Sequence, residues 1–168
     1  MVRPPAIAAA AAAWFVFLLV APVAPAPISA LAYALGSLVC HQLPARSFHY
    51  GLVQLPVCAR CTGIYAGAAI GSALFATNLP RMAALSPRTV FLASSVPVAL
   101  TVALEWAGAW APGNAIRALT GVILGVAAAF VVVGAAALPN AAQASTTLHY
   151  DRCAPRRPNV PGQPPTHT

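Results

Sequence analysis

Four long apolar runs, nearly free of charge, constrain this chain more than any other feature in it. They cover about residues 6–23, 62–79, 89–106 and 116–138, each close to the roughly 20 residues a helix needs to cross a bilayer. Backbone in lipid must satisfy its own hydrogen bonds, so such runs fold as helices. Only 7% of the 168 residues are charged, against roughly 25% in a soluble domain. The expected fold class is therefore all-α: a polytopic membrane protein with a four-helix transmembrane bundle over residues 1–138. A shorter apolar run, 28–39, follows Pro22, Pro25 and Pro27 and is expected as an interfacial or re-entrant helix. Residues 139–168 end in a Pro-rich stretch (Pro155, Pro158, Pro161, Pro164, Pro165) and are expected to form a disordered cytoplasmic tail.

The arginines set the direction. All nine basic residues are arginine, the acids are Glu105 and Asp151 alone, and the net charge is +7. No basic patch with interleaved aromatics is present, which argues against nucleic acid. With four alternating helices, Arg3, Arg81, Arg88, Arg152, Arg156 and Arg157 share one side, and Arg46, Arg60 and Arg117 the other. The positive-inside bias puts both termini in the cytoplasm and the segment 40–61 outside the plasma membrane. Met1–Ala30 also reads as a signal peptide, with one arginine, an Ala-rich stretch and small residues after it. Its removal would leave three spans and would not move segment 40–61 to the other face.

That segment carries the chemistry. Cys40-His41 is followed, 16 residues on, by Cys58-Ala59-Arg60-Cys61. Cys and His ligate soft metals, and paired thiols do redox chemistry. Pro56 suits the first position of the helix that becomes the second span. Cys58, Cys61 and Tyr65 would then share one face of its opening turns, where the helix N-terminus and Arg60 favour a thiolate. With Cys40 and His41 folded back, three sulfurs and an imidazole make a tetrahedral set for zinc, iron or copper. The same residues allow a disulfide from Cys40 to Cys58 or Cys61, which would leave one cysteine odd.

Charges flank this segment. Glu105 closes the third span and Arg117 opens the fourth, with Asn114 as the expected N-cap. A cation near a helix N-terminus and an anion near a C-terminus each oppose the dipole. Glu105 is therefore expected to pair with Arg117, Arg46 or Arg60. Gly63, Gly67 and Gly71 on the second span, and Gly121 and Gly125 on the fourth, let helix backbones approach closely. Packing within the chain is the expected use of these rows. Tyr65, Trp106 and Trp110 suit the outer membrane interface.

At these residues the chain resembles a family of predicted small bacterial membrane proteins, domain of unknown function 2085. The resemblance rests on Cys40-His41-Gln42, Pro44, Arg46-Ser47-Phe48 and the run Leu55 to Gly67, then on Pro97, the Glu105 region, Asn114, Arg117, Thr120-Gly121 and Gly125. In many members an aspartate stands at the position of Thr101 and a glutamine at that of Glu105. The resemblance implies a polytopic membrane protein and carries no activity with it.

Function is then read from the residues. The leading expectation is a transition-metal site of Cys40, His41, Cys58 and Cys61, surrounded by Arg46, Arg60, Tyr65, Glu105 and Arg117. The alternative is a thiol–disulfide oxidoreductase using Cys58 and Cys61 as catalytic residues. It is similar to the bacterial membrane enzymes that pass electrons from thiols to a quinone, but only Cys40 stands where those have a second cysteine pair. Such an enzyme needs a membrane or periplasmic protein partner besides the bilayer. Two further readings are a carrier of small anions through Arg46, Arg60 and Arg117, and an assembly partner using the glycine faces. With a single acid in the membrane region, hydrolytic acid–base chemistry has few candidates.

Overall fold

The computed structural model describes residues 3–76 and 86–153, with side chains described up to residue 136. Helix α1 (Pro4–Val20) continues into a 3-10 turn, Ala21–Val23, and is followed by α2 (Ala26–Ser37). A second 3-10 turn, Pro44–Arg46, leads into a hairpin of β1 (Ser47–Tyr50) and β2 (Val53–Cys58). Three helices complete the order: α3 (Ala59–Ala76), α4 (Pro87–Trp106) and α5 (Asn114–Cys153). Proline stands in the first turn of α1, α2 and α4, where its missing N–H is no loss and its fixed φ suits a helix.

Among the described residues, three helical stretches are long and apolar enough to cross a membrane: Pro4–Val23, Pro87–Trp106 and Asn114–Ala136. The sequence led us to expect four. The expected second span corresponds to α3, which is not among the three. Its buried residues are mostly small or polar, Ala59, Thr62, Gly63, Gly67, Gly71 and Ser72, and it carries Arg60 in its first turn. The short apolar run expected as a helix is helical, as α2. The backbone of α5 is helical as far as Cys153, so the disorder expected from residue 139 does not hold through 153. The Pro-rich end lies outside the described residues.

The hairpin corrects the all-α expectation. Its turn is made at Gly51, whose φ of 59° is open to glycine at little steric cost. Pairing joins Tyr50 to Val53, His49 to Gln54 and Ser47 to Cys58, with a register shift between Ser47 and His49. Pro56 has no N–H to give to the ladder, and such residues sit at bulges or edges. Leu55, Pro56 and Val57 are buried. Pro56 therefore belongs to the strand instead of opening the helix, and α3 begins three residues later at Ala59.

Helices α3 and α5 meet along the glycine rows. A methyl group on Gly63 would strike the carbonyl of Ala118, and one on Gly67 the carbonyl of Val122. In return Gly121 abuts the carbonyl of Arg60, and Gly125 that of Ile64. The rows are thus used within the chain. Helix α1 packs along α3 and contributes Leu18 to a core with Cys40 and Val57, flanked by Trp14, Phe17, Cys58, Cys61 and Tyr65.

Candidate functional site

Three elements deliver the three sulfurs. Cys40 follows the last turn of α2, where its N–H donates to the Gly36 carbonyl at 2.9 Å. Cys58 ends β2, and Cys61 sits in the first turn of α3. Their Sγ atoms all lie within 4.8 Å of one another, and none is in a disulfide. A tetrahedral thiolate site with metal–sulfur bonds of about 2.3 Å spaces its sulfurs about 3.8 Å apart, a spacing that falls inside the 4.8 Å limit of this cluster.

Gln42 places the first of these sulfurs. Its backbone occupies the left-handed region, with φ at 50°, which a non-glycine residue adopts only when its surroundings hold it there. Here they do. The Gln42 side-chain amide donates to the carbonyls of Tyr33 and Pro56, each at 2.7 Å, and its backbone carbonyl accepts from Gln54 Nε2 at 3.1 Å. Tyr33 Oη donates in turn to the Gln54 carbonyl. The result ties α2, the following loop and β2 together. It also turns two N–H groups onto Cys40 Sγ, from Gln42 at 3.4 Å and from Cys58 at 3.1 Å. Hydrogen bonds of this kind orient and tune ligating sulfurs in metal sites.

Cys58 is held well below the ordinary thiol range, at about 5. The hydrogen bond from the Cys61 thiol is the main cause, and burial opposes it. The backbone N–H of Cys61, the Cys40 thiol and the backbone N–H of Arg60 add to the effect. Those backbone donors belong to the first turn of α3, which has no earlier turn to receive them. Cys58 is thereby a thiolate at neutral pH.

A carboxylate and three guanidiniums lie beside the sulfurs. Glu105 Oε1 is 2.6 Å from Arg117 Nη2 and 3.1 Å from Arg46 Nε, and Glu105 Oε2 is 3.5 Å from Arg60 Nη2. The side chains of Glu105 and Arg117 are 7% and 8% exposed, that of Arg60 17% and that of Arg46 41%. Asn114 was expected to cap α5. Instead its Oδ1 accepts from Arg117 Nη1 at 3.0 Å and its Nδ2 donates to the Ser47 carbonyl at 3.0 Å. The Gly113 carbonyl receives the first N–H groups of the helix. One asparagine therefore fixes both the arginine and the start of the hairpin. A cavity of about 410 Å³ joins the two halves of the site, lined among others by Cys40, His41, Cys58, Arg60, Cys61 and Arg117.

These residues fall inside a recognised family. The family model described as a predicted membrane protein, DUF2085, matches residues 40–131. The chain belongs to this family. An uncharacterized protein from Methanocaldococcus jannaschii is 33% identical over 108 residues, covering 63% of this chain and 69% of its own. An uncharacterized protein from Methanothermobacter thermautotrophicus is 53% identical over 30 residues, 18% of this chain and 27% of its own. Both organisms are archaea. No solved structure matches.

Within this DUF2085 chain the structure brings together Cys40, Cys58 and Cys61, and separately Glu105 with Arg46, Arg60 and Arg117. His41 is exposed and lies outside the group of mutually close ligand atoms, although it lines the same cavity. Tyr65 was expected at the outer interface. It packs inward, edge-on to Trp14 with centroids 6.1 Å apart, against the core that includes the cysteines. Trp106 borders the cavity and is exposed. Sequence reading gave Gln42 no role. Its one signal was an amide next to Cys40-His41 in an otherwise apolar stretch.

Proposed function

We propose that this protein binds a transition metal, zinc, iron or copper, through the thiolates of Cys40, Cys58 and Cys61. The observation that carries this is the convergence of the three sulfurs within 4.8 Å, with two N–H groups already turned onto one of them. Thiolate donors select soft ions of this group. Three protein ligands leave a fourth position. His41, next in sequence to Cys40 and on the same cavity, fills it by a side-chain rotation, or a water or substrate does. A structural site is closed and a reactive one keeps that position open. In this reading α3 is the fourth membrane-crossing segment, both termini are cytoplasmic, and the site lies at the outer face of the plasma membrane. Elemental analysis of full-length protein in mild detergent, with a free-thiol count, tests it. About one metal per chain is expected, absent from a Cys58→Ser/Cys61→Ser variant. Native protein that stays metal-free after incubation with each of the three ions refutes it.

The lowered pKa of Cys58 supports a second reading, a thiol–disulfide oxidoreductase. The Cys58 thiolate attacks a disulfide of a partner protein, a mixed disulfide forms, and the partner's leaving thiolate is protonated. Cys61 then displaces the second partner thiol, leaving a Cys58–Cys61 disulfide and a reduced partner. Running in reverse, the oxidised pair accepts two electrons from a partner dithiol and passes them to a quinone. A Cys61→Ser variant should trap the mixed disulfide. If it traps nothing and the metal is present, the first reading stands alone.

A further inference from the structure

We infer that the cavity beside the cysteines is a binding site for a small oxyanion, held by the guanidiniums of Arg60 and Arg117 with Arg46 at its edge. Three guanidiniums face a single carboxylate, a surplus of two positive charges. The chain offers little to offset it, since its only acid besides Glu105 is Asp151. The Cys58 thiolate offsets one charge at most, and it leaves donors unused. Arg60 Nε, Arg60 Nη2 and Arg117 Nε are buried with no hydrogen-bond partner. The 3.5 Å approach of Arg60 Nη2 to Glu105 is an ion pair by distance but lacks hydrogen-bond geometry. A buried donor left unpaired is costly, and more so when charged. Each such group therefore points to a partner that arrives from outside.

The site is built for this. Arg117 is almost wholly buried, anchored through Asn114 and Glu105, and its fork is fixed before any ligand enters. Arg60 is positioned by the close crossing of α3 and α5, where Gly121 touches its carbonyl. Both arginines line the 410 Å³ cavity, within the range of small-ligand sites. Planar guanidiniums match phosphate and carboxylate oxygens two at a time. The rest of the wall includes Val39, Leu43, Val102 and Trp106, which accommodates an apolar body behind an anionic head. The oxyanion comes either from solution or from the headgroup phosphate of an anionic lipid. Its binding does not depend on the metal reading, because its donors are arginines.

Full-length protein is titrated with inorganic phosphate in a non-ionic detergent, and separately reconstituted in phosphatidylglycerol or phosphatidylcholine nanodiscs. Thermal unfolding and Trp fluorescence are followed, Trp106 being on the cavity wall. Saturable stabilisation by phosphate identifies a free oxyanion. Stabilisation by phosphatidylglycerol over phosphatidylcholine, with no response to phosphate, identifies the lipid headgroup. In either case Arg60→Gln should weaken the effect about tenfold, the loss of one charge-assisted hydrogen bond, and Arg60→Lys should recover part of it. If Arg60→Gln does not fold, the half-exposed Arg46→Gln serves, with a smaller loss expected. The Cys58→Ser/Cys61→Ser variant removes a thiolate charge from the cavity wall and should bind at least as tightly as the native protein, whether or not metal is found. No saturable response in any arm, or a response unchanged in the arginine variants, overturns the inference.

Discussion

Arg117 Nη2 and Glu105 Oε1 are 2.6 Å apart, joining the start of α5 to the end of α4 with both side chains nearly closed to solvent. An intact buried pair is weak evidence for stability, but removing one partner strands the other and costs about 3–5 kcal/mol. Glu105→Gln leaves three guanidiniums without their carboxylate. A loss of that size is expected, read as a lower midpoint of thermal unfolding in detergent. Glu105→Leu/Arg117→Leu should recover much of it, because it removes both buried charges. A Glu105→Gln midpoint equal to that of the native protein would show the pair to be solvated.

Gln42 should matter to metal affinity although it supplies no ligand atom itself. Gln42→Gly relieves the left-handed backbone and removes the side chain with its amide. With the amide bonds to the Tyr33 and Pro56 carbonyls lost, the N–H groups facing Cys40 Sγ lose their fixed direction. Metal affinity is expected to fall about 10–100-fold, as for lost outer partners in other metal sites. Competition with a chelator of known affinity measures it. Affinity equal to native would assign Gln42 to folding alone.

The seam between α3 and α5 has no room for side chains. Gly67→Leu would drive a side chain into the backbone at Val122, and overpacking costs about 1–3 kcal/mol even where side chains can shift. A backbone neighbour yields less, so loss of the cooperative transition is expected. Gly134→Leu is the control, since a methyl group there meets nothing within 4 Å. Equal tolerance of the two would disprove the close crossing.

Metal-free protein should show an unusual pH profile at Cys58. Its folded pKa is about 5, below the ordinary thiol value of 9.0. The stabilisation that goes with the lowered value is fully present above the unfolded pKa. It is lost as pH falls through about 5. Iodoacetamide labelling of Cys58, resolved by peptide mass spectrometry, should therefore stay level between about pH 8 and 6 and drop below about 5, because only the thiolate reacts. A tenfold fall in rate per pH unit across the upper range would mark an ordinary thiol.

The membrane character of this chain, the short apolar helix α2 and the helical form of most segments were legible in its sequence. Run length, proline placement and the scarcity of charge are local properties, and lipid leaves the backbone few options. The glycine rows announced a close helix pair, and the misplaced charges of Glu105 and Arg117 announced each other. The hairpin was not legible. Pro56 suits a helix start and a bulged strand equally well, and only burial of Leu55, Pro56 and Val57 against α1 and α2 decides between them. The same holds for Gln42, whose importance comes from carbonyls 9 and 14 residues away. Residue type determined which side chains can do chemistry here. Only tertiary structure decided that three cysteines from three elements share one cavity with guanidiniums that keep buried N–H groups without hydrogen-bond partners, because convergence depends on how the hairpin and the α3–α5 seam close, which no local pattern encodes.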